Sequence, residues 1–177
     1  MSGSPTCFDL LDVHVVAGRA DAEAVRWADG SWTYARLLEE VAAFGGVLRH
    51  CGVTPGDRVD LLLPESVELV VAVLACARIG AEHTYGAGEA AVLVTDSRAG
   101  GQDAPVVLVK QRPGAARELV EGRDYDWDVV LRAGRTDPAP QAEGAVVTPY
   151  DERTRALLAP LLEGTTLSLD PARPPVP

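Results

Sequence analysis

Residues 58–85, RVDLLLPESVELVVAVLACARIGAEHTY, decide the fold of this chain. The mostly apolar run at residues 59–63 ends at Pro64, which predicts a strand buried on both faces. Residues 66–79 are long enough for a helix and hydrophobic on nearly every side, and Gly80 suits the left-handed position after the last turn. A further strand follows. Strand, helix, strand is the order typical of a parallel sheet.

Two elements are predicted before this unit. Residues 24–27 and 32–34 predict two short strands around the Asp29-Gly30 turn. From Tyr34 to His50, apolar residues recur at spacings of three and four, which predicts an amphipathic helix. Thr33 can cap this helix, because its hydroxyl can accept a hydrogen bond from a backbone N–H group of the first turn.

Beyond residue 80, the sequence predicts several more strands but few connections long enough for helices. Strands are expected at residues 82–85, 92–95, 106–109 and 145–148, and helices at residues 126–131 and 151–162. Neighbouring parallel strands usually need a connection of about a dozen residues, yet little more than residues 86–90 joins two of these strands. We therefore expect an α/β fold with a mainly parallel central sheet, flanking helices and at least one missing crossover helix.

The length of the chain predicts one domain. Its 177 residues, 47% of them hydrophobic, can bury a single substantial core. We assign this domain to residues 1–166. Residues 167–177 are expected to form a flexible, proline-rich tail, because four prolines fall between residues 171 and 177.

Charge and cysteine content exclude several classes of protein. The net charge is −10, Lys110 is the only lysine among 16 basic residues, and no basic run occurs, so we expect no nucleic-acid partner. The most apolar stretch, residues 67–77, is too short to cross a bilayer, so we expect no membrane association. The three cysteines lack metal-ligand or redox spacing, and no leader-like segment opens the chain. These features favour a reducing cytoplasm.

Four motifs follow one another in the first half of the chain. They are WTY at residues 32–34, GVTPGDRV at 52–59, LPE at 63–65 and LACARIGAEH at 74–83. Together they resemble the opening segment of the adenylate-forming (AMP-binding) enzymes, and in particular the acetyl- and propionyl-CoA synthetases. Four motifs in this order are far more specific than any one of them. The likeness continues more weakly through residues 91–95, 106–109 and 121–127, with deletions.

The resemblance implies a reaction whose machinery is altered here. Such enzymes activate a carboxylic acid with ATP and then transfer the acyl group to CoA, and a Thr/Ser/Gly-rich loop with a lysine holds the phosphates. Glycines let the backbone N–H groups of such a loop converge on an anion. The matching residues 148–154, TPYDERT, contain no glycine, and Asp151 and Glu152 would repel phosphate. Lys110 lies in the wrong context to replace the loop lysine.

We therefore expect no catalytic residue and no metal ligand in this chain. Any activity would be that of an ATP-dependent, AMP-forming acyl-CoA ligase. The segment that begins at Arg98 is similar to an arginine-bearing stretch that is implied to touch the CoA phosphate, so Arg98 is the one candidate cofactor-binding residue; otherwise it is a solvated loop arginine. His83 is expected to pack or hydrogen-bond at the sheet edge. Asp124, Asp126 and Asp128 are expected to mark a helix start rather than a cation site.

Three functions remain open. Because a parallel sheet must be covered on both faces, the missing helices are expected to leave an apolar face bare. The first hypothesis is therefore a non-catalytic, pseudoenzyme-like module that forms a homodimer or docks to a full-length acyl-CoA synthetase or a related biosynthetic enzyme. The second is a protein that still binds CoA, acyl-CoA or an adenylate (AMP or ATP) without turnover. The third is one part of a split acyl-CoA ligase.

Overall fold

The computed structural model describes residues 4–86, 88–98, 104–142 and 149–169. Two short π-helical segments, Phe8–Asp12 and Val15–Arg19, come first. The other elements, in chain order, are β1 (Glu23–Trp27), β2 (Gly30–Thr33), α1 (Tyr34–His50), β3 (Arg58–Leu62), α2 (Val67–Ile79), β4 (Glu82–Thr84), β5 (Val92–Asp96), β6 (Val106–Lys110), β7 (Asp124–Asp126), α3 (Trp127–Gly134), α4 (Glu152–Leu162) and β8 (Leu167–Leu169).

The central sheet is parallel throughout. Its five strands lie in the order β4-β3-β5-β6-β7. The predicted α/β fold with a parallel central sheet is confirmed. Helix α1 has the predicted bounds, with the Thr33 hydroxyl accepting a hydrogen bond from Arg36 N. Helix α2 ends at Gly80, which has a φ of 77° as its left-handed position requires.

The expectation of a missing crossover helix is confirmed for the described residues. No helix lies in the described parts of the connections from β4 to β5 and from β5 to β6. The register explains how the short β4–β5 connection closes: Thr84 at the end of β4 lies beside Asp60, and Val92 at the start of β5 lies beside Val59. The β4–β5 connection therefore crosses β3 with little displacement along the strand direction.

The helices pack on one face of the sheet. Residues 69–79 of α2 are all buried, and α2 packs against α1, which in turn packs against α3. The sheet faces them with alternating side chains, as a pleated strand requires. These side chains are Val59, Leu61, Val92, Val94 and Leu108.

The opposite face of the sheet is not bare, so that expectation is wrong. Leu93, Val107 and Val109 form a second apolar cluster and are at most 3% exposed. Leu62, Ala104 and Leu119 pack against this cluster. Leu119 belongs to an irregular segment, so the face is covered without a crossover helix.

A smaller sheet joins the two ends of the domain. Strand β1 pairs antiparallel with β2 and parallel with β8. Leu167 and Leu169 of β8 are buried, so the boundary predicted at residue 167 is too early. Residues 170–177, and the strand predicted at 145–148, lie outside the described residues. No helix in the described ranges is long and apolar enough to cross a membrane.

Glycines at the α1–α3 contact provide a test of this packing. A Cβ atom on Gly46 would overlap the carbonyl oxygen of Asp137. Gly46→Ala is therefore expected to lower the free energy of unfolding by about 1–3 kcal/mol, although alanine favours a helix. Urea denaturation measures the change.

The matched control is Glu39→Ala on the exposed side of the same helix. It should change the stability by less than about 0.5 kcal/mol. Equal stability of Gly46→Ala and the parent chain would contradict the α1–α3 packing.

Candidate functional site

The start of helix α4 occupies the place where the resemblance puts a phosphate loop. Asp151 is the N-cap residue, and its Oδ1 atom accepts a hydrogen bond from Thr154 N at 2.7 Å. Burial opposes ionisation of this carboxyl, but hydrogen bonds from the backbone and hydroxyl of Thr154 hold its pKa below the usual value. The first turn of α4 is thus capped by an anion that belongs to the chain itself.

Thr154 connects this helix start to strand β4. Its side chain is buried, and its Oγ1 atom lies 3.0 Å from His83 Nε2 and 2.9 Å from the Tyr85 hydroxyl. The guanidinium of Arg153 stacks over the Tyr85 ring, 4.4 Å from its centroid. We call these five residues, His83, Tyr85, Asp151, Arg153 and Thr154, the α4 cap cluster.

Burial makes His83 a weaker base than an ordinary histidine. Desolvation lowers the pKa of His83, although the carboxylates of Asp151 and Glu82 raise it in part. The ring is therefore neutral at pH 7. The predicted hydrogen-bonding role of His83 at the sheet edge is confirmed, because β4 is the edge strand of the central sheet.

The geometry of the α4 cap cluster favours structure over nucleophilic chemistry. A hydroxyl beside a neutral histidine is the arrangement of a nucleophile and its base. However, Thr154 is completely buried, so a substrate cannot reach its Oγ1 atom. The hydroxyl instead acts as the shared partner of His83 in β4 and of Tyr85, which directly follows the strand.

A second group of charges lies at the carboxyl edge of β5 and β6, where parallel sheets commonly bind ligands. Lys110 and Arg112 at this edge are both paired. The Arg112 guanidinium binds the Glu68 carboxylate at 3.2 and 3.3 Å and Asp96 at 3.3 Å. Lys110 Nζ lies 2.7 Å from an oxygen of Asp128. These carboxylates occupy the positions that an incoming anion would need.

Arg98 is placed just beyond this group. It is exposed, and its backbone N–H group donates to Asp96 Oδ1 at 2.9 Å. The structure therefore puts Arg98 at a ligand-accessible edge. Contact with CoA stays a prediction.

The three aspartates around α3 have protein partners. Asp126 caps α3 by accepting hydrogen bonds from Asp128 N and Val129 N, as a helix-start cluster should. Asp124 binds the guanidinium of Arg123, and this bond holds the pKa of Asp124 below its usual value. Within the described ranges, no group of three or more histidines, cysteines, aspartates or glutamates is placed to hold a metal ion.

A separate apolar cavity of about 340 Å³ lies at the ends of α1 and α2. Its lining includes Arg49, Val53, Ile79 and Pro140 but none of the α4 cap cluster. This volume is at the low end for a small-molecule site. Because none of its lining residues belongs to the α4 cap cluster, the cavity is separate from the phosphate-loop position.

Sequence reasoning did not identify Tyr85 and Thr154 as site residues. They lie 69 positions apart, and neither belongs to the four motifs of the first half of the chain. Only the pairing of β4 with the central sheet and the docking of α4 bring them together. The histidine, by contrast, ends a recognisable motif.

The match to a known family defines the class of this protein. The family model described as "AMP-binding enzyme" matches residues 13–147. The chain belongs to this family. The match ends just before Thr148, where the altered loop position begins.

Several relatives are acetyl-coenzyme A synthetases. The protein of Rubrobacter xylanophilus is 34% identical over 163 residues, covering 71% of this chain and 25% of that protein. The protein of Syntrophus aciditrophicus is 30% identical over 172 residues, covering 76% of this chain and 26% of that protein. The chain thus spans about a quarter of the length of these relatives. A crystal structure of an acyl-CoA synthetase from Brucella canis has the same fold, with a TM-score of 0.71 at 22% identity over 96% of this chain and 43% of that chain.

The α4 cap cluster yields a stability test. Thr154→Val keeps the shape of the side chain but leaves two buried polar partners, His83 and Tyr85, without the shared hydroxyl. We expect a loss of about 1–3 kcal/mol in the free energy of unfolding. Thermal and urea denaturation measure it.

The control is Thr136→Val, which removes a threonine hydroxyl at an exposed position after α3. That change should stay within about 0.5 kcal/mol. If both variants are as stable as the parent, Thr154 does not hold α4 to β4.

Proposed function

We propose that this chain is a non-catalytic, acyl-CoA synthetase-like module that acts by associating with another protein chain. The observation that carries the proposal is the cap of α4. ATP activation requires an anion site for the phosphates, and the family places a glycine-rich loop there. In this chain the Asp151 carboxylate holds the helix start at that position.

Electrostatics supports the same conclusion. A triphosphate that approached α4 would meet the carboxylates of Asp151 and Glu152, and the net charge of the chain is −10. The Arg153 guanidinium, the nearest compensating charge of the α4 cap cluster, stacks on Tyr85. Lys110 and Arg112 are held by carboxylates at another edge.

The association half of the proposal rests on apolar side chains that the fold leaves exposed. Phe8, Val13 and Val16 of the N-terminal segment and Leu162 of α4 are between 37% and 79% exposed. We propose that a second copy of this chain, or a full-length acyl-CoA synthetase, covers these side chains. A homodimer with twofold symmetry is the simplest such assembly.

The catalytic half is tested by exchange of labelled pyrophosphate into ATP in the presence of acetate or propionate. The purified chain should give no exchange above a protein-free blank, while an acetyl-CoA synthetase assayed alongside gives a strong signal. Exchange that co-purifies with this chain, and is lost when the chain is removed by its affinity tag, would refute the proposal.

The association half is tested separately. Light scattering over a hundredfold range of protein concentration should find a dimer whose fraction rises with concentration. Monomers at every concentration, together with no binding to a purified acetyl-CoA synthetase, would remove this part of the proposal.

Residual CoA binding is the second candidate, because Arg98 is exposed at the carboxyl edge of the parallel sheet. Calorimetry with CoA distinguishes it from the first. Binding that Arg98→Gln weakens about tenfold, and that Arg132→Gln at an exposed position of α3 leaves unchanged, would favour the second candidate. If CoA gives no heat of binding with the parent chain or with Arg132→Gln, CoA binding is excluded.

A further inference from the structure

We propose that the His83–Thr154 hydrogen bond is a pH-sensitive latch, which holds the first turn of α4 against β4 and opens when His83 takes up a proton. The latch joins two elements far apart in sequence, since 71 positions separate its partners. The Tyr85 hydroxyl reaches the same oxygen from the residue that follows β4. Two side chains at the end of β4 therefore depend on one buried hydroxyl of α4.

The surroundings of His83 make the His83–Thr154 hydrogen bond sensitive to the charge of the imidazole ring. The imidazole centroid lies 5.5 Å from that of Tyr85 and 5.8 Å from that of Tyr150, and Nε2 lies 3.0 Å from the Oγ1 atom of the completely buried Thr154. A proton added there places a cation on a ring that is only partly exposed to water. That cation also faces the first turn of α4, whose aligned backbone dipoles are positive at this end.

The charged neighbours of His83 do not cancel this cost. Asp151 on α4 and Glu82 on β4 favour the protonated ring, but burial outweighs them. Glu82 already pairs with Arg58, and Arg153 adds a second cation at the Tyr85 ring.

The other titratable groups around the latch stay neutral. Burial raises the pKa of Cys76 on α2 to about 12. Burial raises the phenol pKa of Tyr85 and Tyr150 as well. Within the N-terminal segment, burial raises the pKa of the Cys7 thiol to about 12, and the Asp9 carboxylate acts on Tyr150 rather than on His83.

The direction of the pH effect follows from proton linkage. In the open state His83 titrates near its ordinary pKa of about 6.5, whereas in the closed state the pKa is lower. The open state therefore binds more protons below pH 6.5, and the latch is fully effective only above that value. Each pH unit below 6.5, down to the pKa of the closed state, increases the open fraction by up to about tenfold.

The C-terminal end of α4 is held by other contacts, so the effect of the latch is confined to the N-terminal end of the helix. His14 Nε2 donates to the Leu161 carbonyl at 2.8 Å, and the Tyr34 hydroxyl donates to the Thr165 carbonyl at 3.1 Å. Neither contact involves β4. Opening of the latch is thus expected to free the first turn of α4 while its last turn stays in place.

Amide hydrogen exchange of the native chain at pH 7.5, 6.5 and 5.5, corrected for the intrinsic exchange rate, tests the latch. The protection of residues 152–157 should be constant from pH 7.5 to 6.5 and fall by up to about tenfold at pH 5.5, while α1 keeps its protection. Asp151 does not contribute in this range, because its pKa is below the usual value. His83→Gln, which keeps a hydrogen-bonding group but cannot titrate, should remove the pH dependence.

The control is His50→Gln, since His50 is an exposed histidine at the end of α1. It should behave as the parent chain does. Equal pH dependence in the parent and in His83→Gln, or constant protection in the parent, would overturn the latch. If His83→Gln does not fold, the NMR titration of the His83 ring in the parent decides: a pKa below 6.5 supports the latch, and a pKa at or above 6.5 overturns it.

Discussion

Helix α2 is apolar on nearly every side, and the rest of the fold is arranged to enclose it. Residues 69–79 are all buried, between α1 and the central sheet. The one charged side chain in this stretch, Arg78, is 9% exposed and needs partners of its own. Its guanidinium binds the Asp12 carboxylate at 3.2 Å and the Ala139 carbonyl at 2.8 Å. Burial of α2 therefore also fixes the N-terminal segment and the chain after α3.

Elements with strong local signals were predictable from the sequence. Helix α1 carries a threonine cap and a regular apolar pattern, and α2 ends at a glycine, so their bounds follow from the residues alone. Strands β7 and β8 were missed because the three residues of β7 form no apolar run and β8 lies in the stretch that was assigned to the proline-rich tail. The cover on the second face of the sheet was missed because Leu119 lies in an irregular segment, where no local sequence pattern predicts its packing against the sheet.

The candidate site, too, was predictable from the sequence only in part. The absence of glycine and the presence of two carboxylates at residues 148–154 were visible in the sequence, whereas the cap position of Asp151 is a finding of the structure. What replaces the loop was not visible, since His83, Tyr85 and Thr154 come together only through the tertiary fold. Arg98 shows the limit of resemblance: the structure fixes its position at the sheet edge, but position alone does not define a ligand.

The central claim is that the start of α4 does not bind phosphate, because the Asp151 carboxylate caps its first turn. Titration of the ¹⁵N-labelled chain with ATP, and separately with inorganic pyrophosphate, tests this directly through the amide resonances of residues 151–154. The account predicts that these resonances do not move in a saturable way at millimolar ligand. Saturable shifts confined to these amides would contradict it.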